Sequence, residues 1–245
     1  MLKANFITAQ EAAEKIQDGS TLCTIGMTLV SASESILKAI EKRFETVGHP
    51  ADITLVHSCG QSDRKDGIQH LAHEGLVKRI VGSHWGLQPR WMEMIANSQV
   101  EAYCLPQGQI AQLYRSMACG LPGKMSKVGL GTFIDPRVEG GKMNDRTKPL
   151  PDIVDILEYG GEEYMFYKEI PLDTVLIRGT VCDEMGNLTT TEEAMKLEVL
   201  PAVLAAKRYG VSNSAYLDLM LVVSASSAFR LSMVANLISA SSVLI

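Results

Sequence analysis

Three short segments carry residues whose types and spacing suit acyl or phosphate chemistry. In "CLPQG" (104–108), Gln107 and Gly108 end an apolar run and open a helical one. A glutamine held rigidly at such a strand tip can donate its amide N–H to a carbonyl oxygen that becomes anionic. Taken alone, PQG is also an ordinary turn. The second segment is "GLGTFIDPRVEGGKMND" (129–145), which admits three readings: a phosphate cradle, a catalytic loop or a glycine-rich turn. Gly129, Gly131, Gly140 and Gly141 allow positive φ or close backbone approach, and Pro136 fixes the turn after Asp135. That describes a rigid, tightly packed loop, and spacing assigns none of its residues a chemical role. The third is Gly26 in "TIGMTLVSAS", which lacks both GxGxxG and GxxxxGK[ST], so neither nucleotide-binding fingerprint is supported.

The other reactive side chains give weaker signals. His70 and His73 share a helical face, but HxxH with no carboxylate at a fixed spacing reads as an exposed or hydrogen-bonded pair, and no metal site is expected. His49, His57 and His84 are scattered singly. Cys23, Cys59, Cys104, Cys119 and Cys182 form no CxxC or Cys/His ligand pattern, and an odd number suits reduced thiols in the cytosol.

These residues must be positioned by regular elements, and the sequence alternates two periods. Apolar, β-branched runs at 20–26, 53–58, 78–84 and 100–106 read as buried strands. Between and after them, 31–48, 68–77, 89–98 and 109–119 read as helices, with Ile36, Leu37, Ile40 and Phe44 on one face of the first. The segment before the first strand reads as a polar amphipathic helix with no signal-peptide core, so the expected compartment is the cytoplasm. Strands separated by helices predict an α/β fold: an open, mostly parallel sheet flanked by helices. Ligands then sit outside the carboxyl ends of the strands, where Gly26 and Gln107 fall.

From 150 onward the pattern changes. Residues 152–170 form two β-rich runs around Gly160 and Gly161, a hairpin signal, and 174–191 reads as strand, turn at 184–187 and returning strand. A helix is expected over 192–210, bent or interrupted near Pro201 and stopped by Gly210. Residues 211–245 differ from all that precedes them, with nine serines and two charged residues, Asp218 and Arg230. Serines interrupt every apolar run, so a membrane span is not expected. The domain reading is 1–210 as one α/β unit, and 211–245 as an atypical tail that a truncation or frameshift would produce. A net charge of -5 with scattered Lys and Arg offers no basic stripe, which argues against nucleic acid as a partner.

Read in order, "DGSTLCTIG", "HEGLVKR", "GSHWG", "EAYCLPQG", "KVGLGTFIDPR" with "GGKMND", "EYMFY" and "LIRGTVCDEMGN" resemble the amino-terminal (α) half of family I coenzyme A transferases. The likeness runs from about 5 to 210 and is nearest the propionate or acetate CoA-transferase branch. The resemblance implies transfer of CoA between a short-chain acyl-CoA and a carboxylate through a glutamyl-CoA thioester. It also implies an oxyanion-hole role for Gln107, with Gly26, Met27 and Gly108 lining the substrate site. CoA is then a substrate, and no permanently bound cofactor is expected.

The family's nucleophilic glutamate lies in the carboxyl-terminal half, which 1–245 does not contain. Glu158 and Glu184 imitate its local pattern but fall in the expected hairpin and turn. The nucleophile is therefore expected from a missing half or a β subunit, and the isolated chain is expected to be inactive. Partners are an acyl-CoA, a short-chain carboxylate, and a β subunit or further copies of the chain. The alternative is a non-catalytic ligand-binding or interaction module, as occurs among relatives of the sugar-phosphate isomerase superfamily that share this fold.

Overall fold

A computed structural model describes residues 6–212, 219–224 and 232–237, with side chains up to Tyr209. Helix α1 (Ala9–Lys15) starts at a capping box in which the Thr8 hydroxyl accepts from Glu11 N–H and the Glu11 carboxylate accepts from Thr8 N–H. Strand β1 (Thr21–Thr24) follows, then α2 (Glu34–Val47), which buries Ile36, Leu37 and Ile40 and ends at Gly48 in the left-handed conformation, φ 75°. Strands β2 (Ile53–His57), β3 (Val77–Gly82) and β4 (Glu101–Cys104) come next, with α3 (Pro89–Ala96) before β4 and α4 (Gln107–Ala118) after it.

The expected helix over 68–77 is not formed. A 3-10 turn occupies Gly67–Leu71, and Gly67 (φ 77°) and Gly75 (φ 89°) bound a loop that leads into β3. The left-handed glycines at both ends turn the chain away from helical geometry.

Strand β8 (Thr174–Leu176) pairs with β1, which gives the order β8-β1-β2-β3-β4 with every neighbouring pair parallel. Helices α1, α2 and α3 bury one face of this sheet with Leu22, Leu55 and Ile80. The other face carries Cys23, Val56, Val81 and Tyr103. It is covered by α4, by α5 (Val199–Ser212) and by an antiparallel sheet β5-β7-β6, formed by Gly123–Ser126, Glu162–Lys168 and Val154–Tyr159. Fully burying each large aliphatic chain contributes about 1.5–3 kcal/mol, which makes this two-sided core the main source of stability.

The hairpin around Gly160 and Gly161 is present as β6 and β7, and the turn at 184–187 joins β9 (Val181–Cys182) to β10 (Leu188–Thr189). The helix expected over 192–210 begins later, at Val199, and runs through Gly210 to Ser212. Pro201 therefore lies in the first turn, where its missing N–H costs nothing, and it does not interrupt the helix. The sequence reading gives the serine-rich tail no coherent sheet strand. Within it, β11 (Leu219–Ser224) runs parallel to β8, and β12 (Ser232–Leu237) pairs antiparallel with β11. The rest of the tail, and with it most of that expectation, lies outside the described residues. Among the described residues, no helix is long and apolar enough to cross a membrane.

The glycine-rich segment 129–145 covers the open edge of the parallel sheet. Gly141 C=O accepts from Cys104 N–H at 2.7 Å, and Met143 N–H donates to Ala102 C=O at 3.0 Å along β4. The fully buried Asp135 organises the turn, accepting from Gly131 N–H (2.9 Å) and from the Arg137 guanidinium (2.8 Å). An unpaired edge strand is an aggregation template, so this loop blunts a hazard as well as fixing a shape.

Candidate active site

The loops at the carboxyl ends of β1 to β4 carry every candidate site residue, at two separate places. After β4, Pro106 caps α4 and Gln107 is its first residue. Gln107 is exposed, and its carboxamide makes no hydrogen bond among the described residues. A Cβ added to Gly108 would meet nothing within 4 Å among the described residues, which leave the space above this turn open. Both residues therefore face a volume that the described residues do not fill.

Gly26 and Met27 lie over β1, beyond two intervening strands. Three strand spacings of about 4.8 Å put this loop roughly 14 Å from the Gln107 turn, so the structure does not bring the two into contact. Gly26 is buried, and a Cβ there would sit 3.1 Å from Val30 O, 3.2 Å from Ala32 N and 3.2 Å from Gln61 Oε1. Its glycine character is demanded by tight packing. Met27 is half-buried and closes a small turn, donating to Val30 C=O at 3.0 Å.

Between these two places lies a buried polar layer that the sequence reading did not nominate. Thr24, His57 and Gly82 are neighbours in register at the ends of β1, β2 and β3. Gly82 makes room for the His57 imidazole, which a Cβ there would overlap. His57 Nδ1 lies 2.8 Å from Cys59 C=O, to which it must donate, and Nε2 is left as an acceptor. Burial pushes the His57 pKa down to about 4, so the ring is neutral. Its Nε2, with Thr24 Oγ1, Ser33 Oγ, Ser58 Oγ and Gln61 Oε1, is buried without a partner among the described residues. Spacing could not reveal this layer, because its members come from different strands and loops.

His70 and His73, which have no carboxylate at a fixed sequence spacing, are a hydrogen-bonded pair whose carboxylates come from elsewhere in the fold. Helix α2, about 30 residues upstream in the chain, supplies them: His70 Nε2 lies 2.8 Å from Glu34, His70 Nδ1 hydrogen-bonds Glu41, and His73 Nε2 lies 2.9 Å from Glu41. Glu34, Asp66 and His70 could in principle ligate a cation, as could Glu41, Glu45 and His73. The chain's own cations already pair with three of these carboxylates, with Lys38 3.0 Å from Glu34 and 3.1 Å from Asp66, and Arg90 3.3 Å from Glu41. Glu158 and Glu184 are both exposed, on β6 and in the β9–β10 turn, away from the parallel strand ends.

The chain is 42% identical over 208 residues to caffeate CoA-transferase of Acetobacterium woodii, a match covering 84% of this chain and 39% of that protein. The crystal structure of the acyl-CoA transferase YdiF from Escherichia coli O157:H7, a thioester complex with CoA, superposes with a TM-score of 0.84 at 33% identity, over 90% of this chain and 42% of that one. The chain thus spans about two fifths of the length of these relatives. By contrast, the match to the acetate CoA-transferase subunit alpha of E. coli K12, at 25% identity, covers 83% of both proteins. The model of the coenzyme A transferase family matches residues 6–211, and the chain belongs to that family as an α-like half.

Proposed function

We propose that this chain forms the amino-terminal half of a site that moves CoA between a short-chain acyl-CoA and a free carboxylate, with Gln107 as oxyanion donor. The observation that carries the reading is the free, exposed carboxamide of Gln107 in the first turn of α4, beside the open space over Gly108. A pre-positioned N–H aimed at developing negative charge is the largest single contribution in many acyl transfers. The thioester complex of the YdiF relative supports a covalent course.

In this reading a glutamate from a carboxyl-terminal half or a β subunit attacks the thioester carbonyl. The C–S bond breaks, leaving an acyl-glutamyl anhydride and CoA thiolate. The thiolate then attacks the glutamyl carbonyl, releases the first carboxylate and forms the glutamyl-CoA thioester, and the acceptor carboxylate reverses both steps. Gln107 hydrogen-bonds the oxyanion in each tetrahedral state. The alpha subunit of E. coli acetate CoA-transferase, matched over most of its length, supports supply of the glutamate by a separate subunit. The exposed Phe133 and Val138 of the edge-covering loop, with Val128 just before it, would be buried at the junction with that partner.

The test is exchange of labelled acetate into acetyl-CoA. The chain alone is expected to give none. Exchange should appear when the carboxyl-terminal half of the A. woodii relative is added, and Gln107→Ala should reduce it. Exchange by the chain alone, or exchange indifferent to Gln107→Ala, would overturn the reading.

A further inference from the structure

The loop carrying Gly26 and Met27 holds backbone strain. Thr28 (φ 54°) and Ser31 (φ 60°) both sit in the left-handed region that non-glycine residues avoid. Such conformations persist only where the surroundings over-determine them. Two hydrogen bonds close the turn from inside, between Met27 and Val30 at 3.0 and 2.9 Å. Ser31 Oγ donates outward to Met195 C=O at 3.1 Å.

Underneath, the support comes from one glutamine in the crossover after β2. Gln61 is fully buried. Its Nε2 donates to Thr24 C=O at 2.8 Å, at the very end of β1, and its Oε1 lies under Gly26. The preceding residue, Gly60, accepts from Thr28 N–H at 2.8 Å, so the strained turn rests directly on this crossover. Gln61 is itself held from the β3 side. The hydrogen-bond network orients the Gln88 carboxamide so that its nitrogen donates to His84 C=O (3.0 Å) and Trp85 C=O (3.1 Å) and its oxygen accepts from Gln61 N–H (3.0 Å). Gln61 C=O accepts from Ile68 N–H at 2.9 Å, and Glu34 at the head of α2 accepts from Gly67 N–H at 2.8 Å. One residue thus joins the ends of β1 and β2 to the loop after β3.

We propose that Gln61 is a positioning residue for the acyl-CoA site, setting the Gly26–Met27 loop at a fixed height over the carboxyl ends of β1 and β2. The inference rests on the functional reading above, which places that loop at the site. Gln61 touches no reacting atom; it acts through Thr24 and Gly26. General core packing would behave differently, because its loss would loosen the sheet as a whole.

Gln61→Met keeps the length of the side chain and removes both polar atoms, and it separates these two roles. By amide hydrogen exchange of the 245-residue chain, Met27 and Thr28 should exchange at least ~10-fold faster in the variant, while Leu55 and Ile80 change less than ~2-fold. The calorimetric Kd for acetyl-CoA should rise about 10-fold. Unchanged loop exchange, or equal acceleration in loop and sheet, would overturn the positioning role. Should the variant not fold, the Gln61 side-chain N–H2 of the unaltered chain decides: protection comparable to strand amides is expected, and exchange at the rate of a free carboxamide would overturn the proposal. If the unaltered chain binds acetyl-CoA neither alone nor mixed with the carboxyl-terminal half of the A. woodii relative, the functional reading fails, and loop exchange alone still judges the positioning role.

Discussion

Gln107 and Gln61 are two carboxamides above the same parallel sheet, in opposite circumstances. The Gln107 carboxamide, after β4, is exposed and bonds to nothing among the described residues, whereas that of Gln61, after β2, is buried and tied to β1, and the Gln61 backbone N–H is tied to the loop after β3. In the proposed reading, the same functional group serves contact in one place and position in the other. A polar group free of internal partners is cheap to hold only where water or a ligand can reach it, and leaving one unbonded in the interior is costly; Gln61 Nε2 is bonded to Thr24 C=O, while its Oε1 has no partner among the described residues. Fold and chemistry should therefore respond separately to changes at the two ends of this row.

The largest separation is expected at Gln107. In the reconstituted exchange assay, Gln107→Ala should slow transfer by about 10²–10³, the usual cost of one oxyanion donor. Thermal unfolding of the same variant should shift by no more than about 0.5 kcal/mol, as for an exposed residue without partners. A large loss of stability would show that Gln107 is structural.

Next in size is the buried end. Gly82→Ala places a methyl group into the fully buried His57 ring, and overpacking of this kind costs about 1–3 kcal/mol. A melting temperature lowered by several degrees is expected. No change would mean that the imidazole can leave its place over β3.

The smallest effect is a pH dependence at the clasp between α2 and the crossover that carries Gln61. Glu34, Lys38 and Glu41 of α2, Asp66 and His73 of the crossover, and Arg90 of α3 all face His70 or its partners. Hydrogen bonding to Glu34 lifts the His70 pKa above 6.5; burial opposes it, and Glu41 adds to it. Burial works against the ionised Glu34, but hydrogen bonds from His70, Lys38 and Gly67 N–H outweigh it and hold its pKa at about 2. Glu41 is lowered in the same way, against burial, by His73 and His70. A raised histidine contributes fully below its unfolded value and loses its contribution as pH rises through the folded one. The lowered carboxylates contribute above about 4.5 and lose it as pH falls. The melting-temperature difference between the unaltered chain and His70→Gln should thus be greatest between about pH 4.5 and 6.5 and shrink on both sides. A difference independent of pH would contradict the clasp.

The contrast between the two glutamines also explains what was legible in the sequence. Buried parallel strands announce themselves as β-branched runs, and the place of Gln107 at a helix start was legible because its signal is local: a strand, a proline, then a helix. Gln61 could not, since Thr24, Gly26 and Gln88 reach it from other loops and no spacing encodes the meeting. The carboxylates around His70 were missed for the same reason, lying on a helix about 30 residues upstream. The helix start was misplaced at 192 because the sequence there is helix-compatible. The buried Glu193 carboxylate is instead drawn to the half-buried Arg178 at 2.9 Å, and the helix waits until Val199. Tertiary demand overrode propensity there.

The central claim is that this chain contributes the oxyanion donor and not the nucleophile. Intact-mass spectrometry tests it directly: the chain is mixed with the carboxyl-terminal half of the A. woodii relative, given acetyl-CoA without an acceptor acid, and each polypeptide is weighed. A CoA thioester adduct on the added half and none on the 245-residue chain is the predicted result. An adduct on this chain, mapping to Glu158, Glu184 or any other of its glutamates, would contradict the account.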